Sequence, residues 1–352
     1  MPSSGNCGSG WPNQPDAMSA AVPDRILLIR LRSIGDVILT LPAVHAVRKN
    51  FPNAKITFLT SKENITLLQG FGDVDEVISL DRAALRTGNP AKLIPEIFGL
   101  LRRLRAGKFS LVVDFQGYGE TALLARLTGA PQRWGGVYSS GREWAYTRAR
   151  PRAENLHPAA GYLQLLQECG LQIGPVQNRF QLPPAALAAA QQFLDEQKIN
   201  AGRPILFLQP FTSSSHKDWP LENFLAVARH FRAQGVAVVF GGGPADRHRL
   251  EPVQAEGFPV SAGVPLLVTG GLMQLAALTV GGDTGALHLA VAEGRRVLML
   301  MHRLIPGCPV PFQNPDWILA PPGAGKITGI SVAAVIAACS GTFNEPAGNA
   351  SC

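Results

Sequence analysis

Short apolar runs alternate along the chain with longer stretches of helical periodicity, beginning at Asp24. The runs have the length and continuous hydrophobicity of buried strands, and in the stretches between them apolar residues recur every three or four positions. Strand-helix-strand alternation predicts an α/β fold, a parallel sheet with helices on both faces. The predicted strands of the first half are RILLIRL, AKITFLT, DEVISL and SLVVDF, and the predicted helices cover 35–49, 94–105, TALLARLTG and 159–170.

Strand signals become sparse after 171, and the same pattern restarts near Pro204. A second doubly wound unit is therefore expected, and the carboxyl ends of both sheets would then face one crevice, where open α/β sheets bind ligands. Its predicted strands are PILFLQ, VAVVFGG and RVLMLM, and its predicted helices are LENFLAVARHFRAQG, MQLAALTV and 331–339. The expected organisation is a lead-in at 1–23, a first domain at 24–175, a linker at 176–200 with a helix over 185–197, a second domain at 201–330, and a final helix and tail at 331–352.

Composition indicates a soluble globular protein. Hydrophobic residues make up 46% of the chain and charged residues 16%, which is typical of packed domains. The longest apolar runs have strand length and are too short to cross a membrane. The lead-in is rich in Gly, Pro, Ser and Asn without the pattern of a secretion signal, so we expect it to be disordered. Five scattered cysteines without C-x-x-C spacing favour a reducing cytoplasm over a disulfide framework or a zinc site.

The net charge of +7 leaves several classes of partner open. Nucleic acid is the least favoured, because the basic residues are dispersed and no aromatic-basic module is present. An anionic membrane surface, a small phosphorylated substrate and a basic surface without a specific partner remain alternatives.

The first candidate site is the turn that ends the first predicted strand, R-L-R-S-I-G-D at 30–36. Gly35 permits a tight turn, and Asp36 falls in the first turn of the following helix, near exposed N–H groups. One interpretation is a helix-capping aspartate, and the other is a reactive carboxylate that opens onto the crevice. Arg30 and Arg32 are candidate ligands for anionic groups, or else ordinary surface arginines.

A second candidate site follows the strand PILFLQ, where hydroxyl groups and one lysine share a loop, T-S-S-S-H-K-D-W-P at 212–220. Such a loop at the carboxyl end of a strand is a suitable anion site, with Lys217 as its cation and Trp219 as its anchor. The alternative is a polar connecting loop with a solvated lysine.

A third candidate site is G-G-D-T-G-A-L-H at 281–288. Two glycines end a strand, Asp283 and Thr284 precede a helix, and Gly285 lets a ligand approach the backbone. This is how a helix N-terminus is presented to a diphosphate. His288 lies one helical turn further on, and a buried supporting histidine is the slightly favoured interpretation for it.

Several other chemistries are disfavoured by the motifs that the sequence lacks. No H-E-x-x-H, H-x-x-x-H or carboxylate cluster indicates a metal site, and no G-x-S-x-G or Walker A sequence is present. A nicotinamide-dependent oxidoreductase would need G-x-G-x-x-G after the first strand and an acidic residue after the second, and neither is found.

With these residues in place, the chain resembles the ADP-heptose:lipopolysaccharide heptosyltransferases, glycosyltransferase family 9. Its opening ILLIRLRSIGDVILTLPAVHAVRKNFPNAKITFLT is similar to the strand-turn-helix-strand with which family members begin. The second half carries K-x-W-P at 217–220, G-G-P-x-D at 242–246 and D-T-G-x-x-H at 283–288. One such motif alone is weak evidence, but three in the family's order over roughly 24–301 are specific.

The resemblance implies the GT-B architecture, with two Rossmann-like domains facing across a cleft. It also implies an inverting transfer of heptose from ADP-heptose to a sugar hydroxyl of the lipopolysaccharide inner core, with Asp36 as general base. Lys217 would bind the donor phosphate, and neither a cofactor nor a metal is required. The candidate donor-binding residues are Thr212, Ser213, Lys217, Asp283, Thr284, Gly285 and His288.

The segment 302–317, HRLIPGCPVPFQNPDW, departs from the G-P-T-type loop that follows the equivalent strand in family members. This segment normally lies near the donor site, so the departure leaves the donor's nucleotide and sugar open. Glu256 is one candidate for the acidic residue expected to select the ribose.

The acceptor side is expected on the first domain. The candidate residues are Arg30, Arg32 and Gln116, and the candidate segments are 116–120 and 133–152. The segment 133–152 contains five arginines, which either bind an acidic glycolipid or are ordinary solvated side chains. We expect a cytoplasmic monomer that touches the inner membrane peripherally at its inner face and binds no nucleic acid. A GT-B transferase of another sugar to another glycan, and a non-catalytic sugar-nucleotide binder, remain the alternatives.

Overall fold

The computed structural model describes residues 22–82, 90–138, 141–199, 202–323 and 325–344. Its first sheet is entirely parallel, with the strand order β3-β2-β1-β4-β5-β6. The strands are β1 (Arg25–Ile29), β2 (Lys55–Ser61), β3 (Glu76–Leu80), β4 (Leu111–Asp114), β5 (Gln132–Val137) and β6 (Arg148–Pro151). The parallel α/β arrangement predicted for this half is therefore confirmed.

The helices of this half lie between successive strands, apart from the last, which follows β6. They are α1 (Ile34–Ile38), α2 (Leu41–Asn50), α3 (Pro90–Ala106), α4 (Gly119–Leu127) and α5 (Pro158–Glu168). The single helix predicted over 35–49 is wrong, because the structure divides it into α1 and α2. Pro42 lies in the first turn of α2 and has no N–H to continue the hydrogen bonding of α1, so a new helix begins there.

The segment 133–152, a candidate acceptor segment, contributes β5 and β6 to the edge of the sheet. Four of its five arginines bond to main-chain carbonyls: Arg133 to Ala145, Arg142 to Gly117, Arg148 to Cys169 and Arg150 to Glu168. Strand signals are weak here because the strands are short and one lies at an edge, where alternation between a buried and a solvated face is lost.

The second sheet is also parallel, with the order β11-β10-β9-β7-β8. Its strands are β7 (Ile205–Gln209), β8 (Ala237–Phe240), β9 (Leu278–Gly282), β10 (Val297–Leu300) and β11 (Ile318–Leu319). The helices around it are α6 (Pro184–Glu196), α7 (Leu221–Ala233), α8 (Glu251–Ala255), α9 (Leu266–Leu275), α10 (Gly285–Ala292) and α11 (Val332–Asn344). The prediction of a helix over MQLAALTV is wrong, since α9 ends at Leu275 and the β-branched Thr279 and Val280 lie in the buried strand β9.

The order of strands explains where the candidate sites lie. In the first sheet the chain reverses its direction of winding between β1 and β4, and in the second sheet between β7 and β9. Ligands of open α/β sheets bind at the carboxyl ends of strands at such switch points. The turns after β1 and β4 carry Asp36 and Gln116, while those after β7 and β9 carry Lys217 and Asp283.

Candidate functional site

The turn after β1 holds the carboxylate of Asp36 in a defined position. Ser33 adopts φ 55° and caps α1, its Oγ accepting from the Asp36 N–H at 3.3 Å. The same Oγ donates to Asp36 Oδ2 at 3.0 Å. The capping role considered for Asp36 therefore belongs to Ser33. The Asp36 side chain is about one-third exposed, at 34%, so its carboxylate is held yet accessible.

Arg30 lies under this carboxylate. Its Nη2 contacts Asp36 Oδ2 at 2.6 Å, and its Nη1 donates to the Phe115 carbonyl at 3.2 Å. Its guanidinium lies 5.8 Å from the ring centre of Tyr162, and its side chain is only 5% exposed. Arg30, predicted to bind the acceptor, is thus a buried partner that orients Asp36.

Gln116 joins the turns after β1 and β4. Its buried Oε1 accepts from the N–H groups of Leu31 and Arg32 at 2.9 and 3.1 Å, and its Nε2 donates to Glu120 at 3.0 Å. Gln116 was predicted to contact the acceptor, but these bonds use its side-chain amide to fix the turn. Arg32 is exposed, pairs with Glu120 and stacks on Tyr118, so it is the predicted acceptor ligand that faces solvent.

Asp114 supports this turn from the end of β4 and was missed by sequence reasoning. It is fully buried and accepts hydrogen bonds from the N–H groups of Gln116 and Gly117 and from the Tyr146 hydroxyl. Burial raises the pKa of Asp114 in spite of these bonds. The only sequence signal for it is an aspartate at the carboxyl end of a switch-point strand.

On the second sheet, Lys217 and His288 meet at Asp283. Lys217 Nζ lies 2.8 Å from Asp283 Oδ2, and His288 Nε2 lies 3.1 Å from Oδ1. Burial by itself raises the pKa of Asp283, but the hydrogen bonds and charges of His288 and Lys217 outweigh it and lower the pKa to about 2. Asp283 therefore stays ionised and holds Lys217 in place. The buried position of His288 fits the supporting histidine that the sequence favoured.

The loop after β7 is braced from within. Thr212 Oγ1 donates to the Asp218 carboxylate at 2.9 Å and accepts from the Ser214 N–H at 3.1 Å. Trp219 is buried and donates to the Ile330 carbonyl at 2.9 Å, so it anchors the loop as expected. Ser213 is exposed at the loop tip. Lys217 thus projects from a loop whose backbone is fixed on both sides.

The helix N-terminus of α10 completes the cradle. Thr284 caps it, its Oγ1 accepting from the Leu287 N–H at 3.3 Å. The N–H groups of the first helical turn, beginning at Gly285, and the helix dipole favour an anion at this end of α10.

The two halves of the site are in direct contact. A Cβ placed on Gly285 would lie 2.8 Å from Ile34 Cγ2 and 3.0 Å from the Gly35 nitrogen. A Cβ placed on Gly35 would lie 3.3 Å from His288 Cδ2. Two facing glycines therefore let α1, with Asp36, rest on the N-terminus of α10.

The divergent segment 302–317 reaches the loop that carries Lys217 through His302. Its ring lies 5.5 Å from that of His216 at an interplanar angle of 81°, and His216 Nδ1 lies 2.8 Å from Ser214 Oγ. Burial and the nearby charges of Lys217 and His216 lower the pKa of His302. Sequence reasoning identified the segment as divergent but did not identify either histidine.

A cavity of about 240 Å³ opens beside Tyr162, between α5 and the ends of β5 and β6. Arg152 lies 4.6 Å from the ring centre of Tyr138 and 5.6 Å from that of Tyr162. Gly307 of the divergent segment closes one side. The lining combines apolar side chains with Arg152 and the carboxylates of Glu154 and Glu168, and its Tyr162 also contacts Arg30.

Other predicted features lie elsewhere. Glu256, a candidate for selecting a ribose, pairs with Arg229 at 2.8 Å, and its position near the end of α7, away from the carboxyl edge of the sheet, does not support that role. Within the described residues no group of three or more His, Cys, Asp or Glu side chains could hold a metal ion. No helix in this part of the chain is both long and apolar enough to cross a membrane.

The chain is similar to known glycosyltransferases in sequence. The model of glycosyltransferase family 9 (heptosyltransferase) matches residues 97–305. Lipopolysaccharide heptosyltransferase 3 of Escherichia coli is 28% identical over 77% of this chain and 81% of its own length. The lipopolysaccharide core heptosyltransferase OpsX of Haemophilus influenzae is 23% identical over 85% and 84%.

Solved structures show the same fold. The glycosyl transferase family 9 structure from Veillonella parvula has a TM-score of 0.81 and 22% identity, covering 91% of this chain and 97% of that one. The structure of E. coli heptosyltransferase WaaC with ADP has a TM-score of 0.74 and 22% identity, covering 90% and 99%. The chain therefore has the two-domain GT-B architecture that the resemblance implied.

Proposed function

The chain belongs to glycosyltransferase family 9, and on that premise we propose that it moves heptose from ADP-heptose to a sugar hydroxyl of the lipopolysaccharide inner core, with inversion at the anomeric carbon. The relatives that match along most of their length are lipopolysaccharide heptosyltransferases. The acceptor is an anionic glycolipid, which fits the exposed Arg32 and the net charge of +7. The protein works as a monomer at the cytoplasmic face of the inner membrane.

Asp36 is the general base in this proposal. A sugar hydroxyl is a poor nucleophile, and a carboxylate within hydrogen-bond reach removes its proton as the new bond forms, which contributes about 10²–10⁴-fold. Ser33 and Arg30 fix the Asp36 carboxylate, so little reorganisation is needed when the acceptor arrives.

The donor side stabilises the leaving diphosphate. Negative charge grows on ADP as the glycosidic bond breaks, and Lys217 together with the N–H groups at the start of α10 meets that charge. Asp283 is the positioning residue, because it holds Lys217 at 2.8 Å while His288 holds its other oxygen. Thr212 and Ser213 contribute through the braced loop that carries Lys217.

The observation that carries the proposal is the contact between Gly35 and Gly285. It brings the turn with the candidate base against the helix N-terminus that would hold the diphosphate. A general base for the acceptor must lie close to the anomeric carbon of the donor, and this juxtaposition supplies that arrangement.

The substitution Asp36→Asn tests the role of the base. Asparagine retains the size of the side chain and an oxygen acceptor for Ser33, so we expect ADP-heptose to bind with little change in calorimetric Kd. Turnover should fall by about 10²-fold or more, because the amide cannot accept the proton. Unchanged turnover would remove Asp36 from the mechanism and leave the donor site untouched.

Donor identity needs a separate experiment, since the divergent segment lies beside the cradle. Calorimetric titration with ADP-heptose, UDP-sugars and GDP-sugars should give tight binding for ADP-heptose alone. A clear preference for a uridine donor would favour a GT-B transferase of another sugar.

A further inference from the structure

The outer face of α3 is unusual for an exposed helix surface. Ile94, Ile97 and Phe98 are 65%, 41% and 69% exposed, while Leu100 and Leu104 of the same helix pack into the core of the first sheet. A surface helix normally turns polar residues outward. Three large apolar side chains on adjacent turns form a contiguous patch that marks an interaction site.

The same face becomes basic toward the end of the helix. Arg102 and Arg105 are exposed, and at 3.6 residues per turn they continue the stripe begun by Ile94 and Phe98. Arg105 donates to the Leu127 carbonyl at the end of α4, where Arg126 is also exposed. The surface therefore combines an apolar patch with a cluster of arginines.

The position of this surface relative to the site follows from the topology. Each of α3 and α4 connects two parallel strands, so both helices begin at the carboxyl edge of the sheet, the edge that carries Asp36. The apolar end of α3 is thus on the side of the acceptor. Leu123 on α4, a helix in contact with α3, is a further exposed apolar side chain, at 47%.

We propose that the α3 face, defined by Ile94, Ile97, Phe98, Arg102 and Arg105, docks the protein on an anionic lipid bilayer. The apolar side chains enter the boundary between headgroups and acyl chains, and the arginines pair with lipid phosphates. The arginines favour an anionic bilayer as the binding partner, because their positive charge is complementary to the lipid phosphates beside the apolar patch. The biological purpose rests on the proposed function, whose acceptor is a glycolipid, but the docking itself requires neither donor nor acceptor.

Co-sedimentation with lipid vesicles tests the proposal on the full chain. The protein should bind phosphatidylglycerol-containing vesicles, bind phosphatidylcholine vesicles weakly, and lose binding as ionic strength rises. The double substitution Ile94→Ser and Phe98→Ser should weaken binding about tenfold or more, from the apolar area withdrawn from the bilayer. Arg102→Gln and Arg105→Gln should each weaken it about fivefold.

The matched control is the double substitution Val22→Ser and Ile65→Ser, which removes side chains that are 78% and 37% exposed outside α3. It should bind vesicles like the unchanged protein. Equal binding by the α3 variants, or equal binding to zwitterionic vesicles, would overturn the proposal. Sedimentation that shows a dimer which the α3 substitutions dissociate would also overturn it, in favour of a second copy of the chain.

Activity separates this proposal from the proposed function. The Ile94→Ser, Phe98→Ser variant should keep the turnover of the unchanged protein on a delipidated, water-soluble acceptor, and lose turnover on the same acceptor embedded in vesicles. Absence of transfer by the unchanged protein on either acceptor would refute the function and leave the vesicle-binding result to stand independently.

Discussion

The contact between α1 and α10 can be opened by one methyl group. Gly285 is the first residue of α10 and has no positive φ, so alanine fits its backbone without strain. The added Cβ would nevertheless lie 2.8 Å from Ile34 Cγ2 and 3.0 Å from the Gly35 nitrogen. Gly285→Ala therefore perturbs the spacing between the two halves of the site without removing a chemical group.

The size of the effect follows from these distances. Non-bonded heavy atoms of this kind rest at about 3.5–4.0 Å, so α1 must move away from α10 by about 0.5–1 Å. A misplacement of about 1 Å between reacting groups costs up to about 10²-fold in rate. Within α10, alanine is favoured over glycine by up to about 1 kcal/mol, so the second unit should not lose stability.

Steady-state kinetics and thermal unfolding together test this reasoning. For Gly285→Ala we expect kcat to fall by about 10–10²-fold, with Tm unchanged or raised. Gly341→Ala, also helical and with no atom within 4 Å of the added Cβ, is the control for the gain in helix propensity and should keep full activity. Full activity of Gly285→Ala would show that the contact does not set the catalytic spacing, and a loss of Tm would show that the substitution damages the fold.

Three further predictions concern single side chains. Lys217→Ala should raise the donor Kd by about tenfold or more and lower kcat, because it removes the cation that faces the diphosphate. Lys217→Arg keeps the charge and should retain part of the donor affinity and part of kcat. Calorimetry measures the Kd, and steady-state kinetics measures kcat. His302→Ala should raise the donor KM with a smaller change in kcat if the divergent segment contacts the donor, and unchanged constants would exclude that contact. Glu293 has no hydrogen-bond partner for either carboxylate oxygen among the described residues, and burial raises its pKa from 4.5 to about 8, opposed by the charge of Arg295. The folded state therefore binds the proton more tightly, so this contribution to stability is complete below about pH 4.5 and is lost as pH rises toward 8. Glu293→Gln should match the unchanged protein in Tm at low pH and exceed it at high pH. If Tm of the two proteins changed with pH in parallel, the assignment would be refuted.

The features that sequence predicted best are those encoded locally. A continuous apolar run such as Ile26–Ile29 has few structural alternatives, and a glycine-aspartate turn after it indicates the switch from strand to helix. The Asp283-Thr284-Gly285 run could be interpreted as a helix N-terminus because cap, turn and helix are contiguous. These signals were sufficient for the parallel fold and for the position of the helix N-terminus at Gly285.

Contacts between residues far apart in the chain could not be predicted from the sequence. Arg30 appeared to be a surface cation, and its burial depends on Phe115 and Tyr162, which are more than 80 positions away and approach only after the sheet forms. The hydrogen bonds of Gln116 to the N–H groups of Leu31 and Arg32 were missed for the same reason, since these residues also lie far apart in the sequence. Periodicity carries no information about which distant residue will satisfy a buried polar group.

The turn at Ser33 shows what the structure adds to the interpretation of Asp36. A non-glycine residue at φ 55° costs of order 1–3 kcal/mol, and glycine would adopt this conformation without that strain. Glycine has no hydroxyl, however, and the Ser33 hydroxyl both caps α1 and donates to the Asp36 carboxylate. Because Ser33 performs the capping, Asp36 is not needed as a cap, and its carboxylate instead pairs with the buried Arg30. The Asp36 carboxylate is thereby oriented yet partly exposed, which is what the proposed role of general base requires.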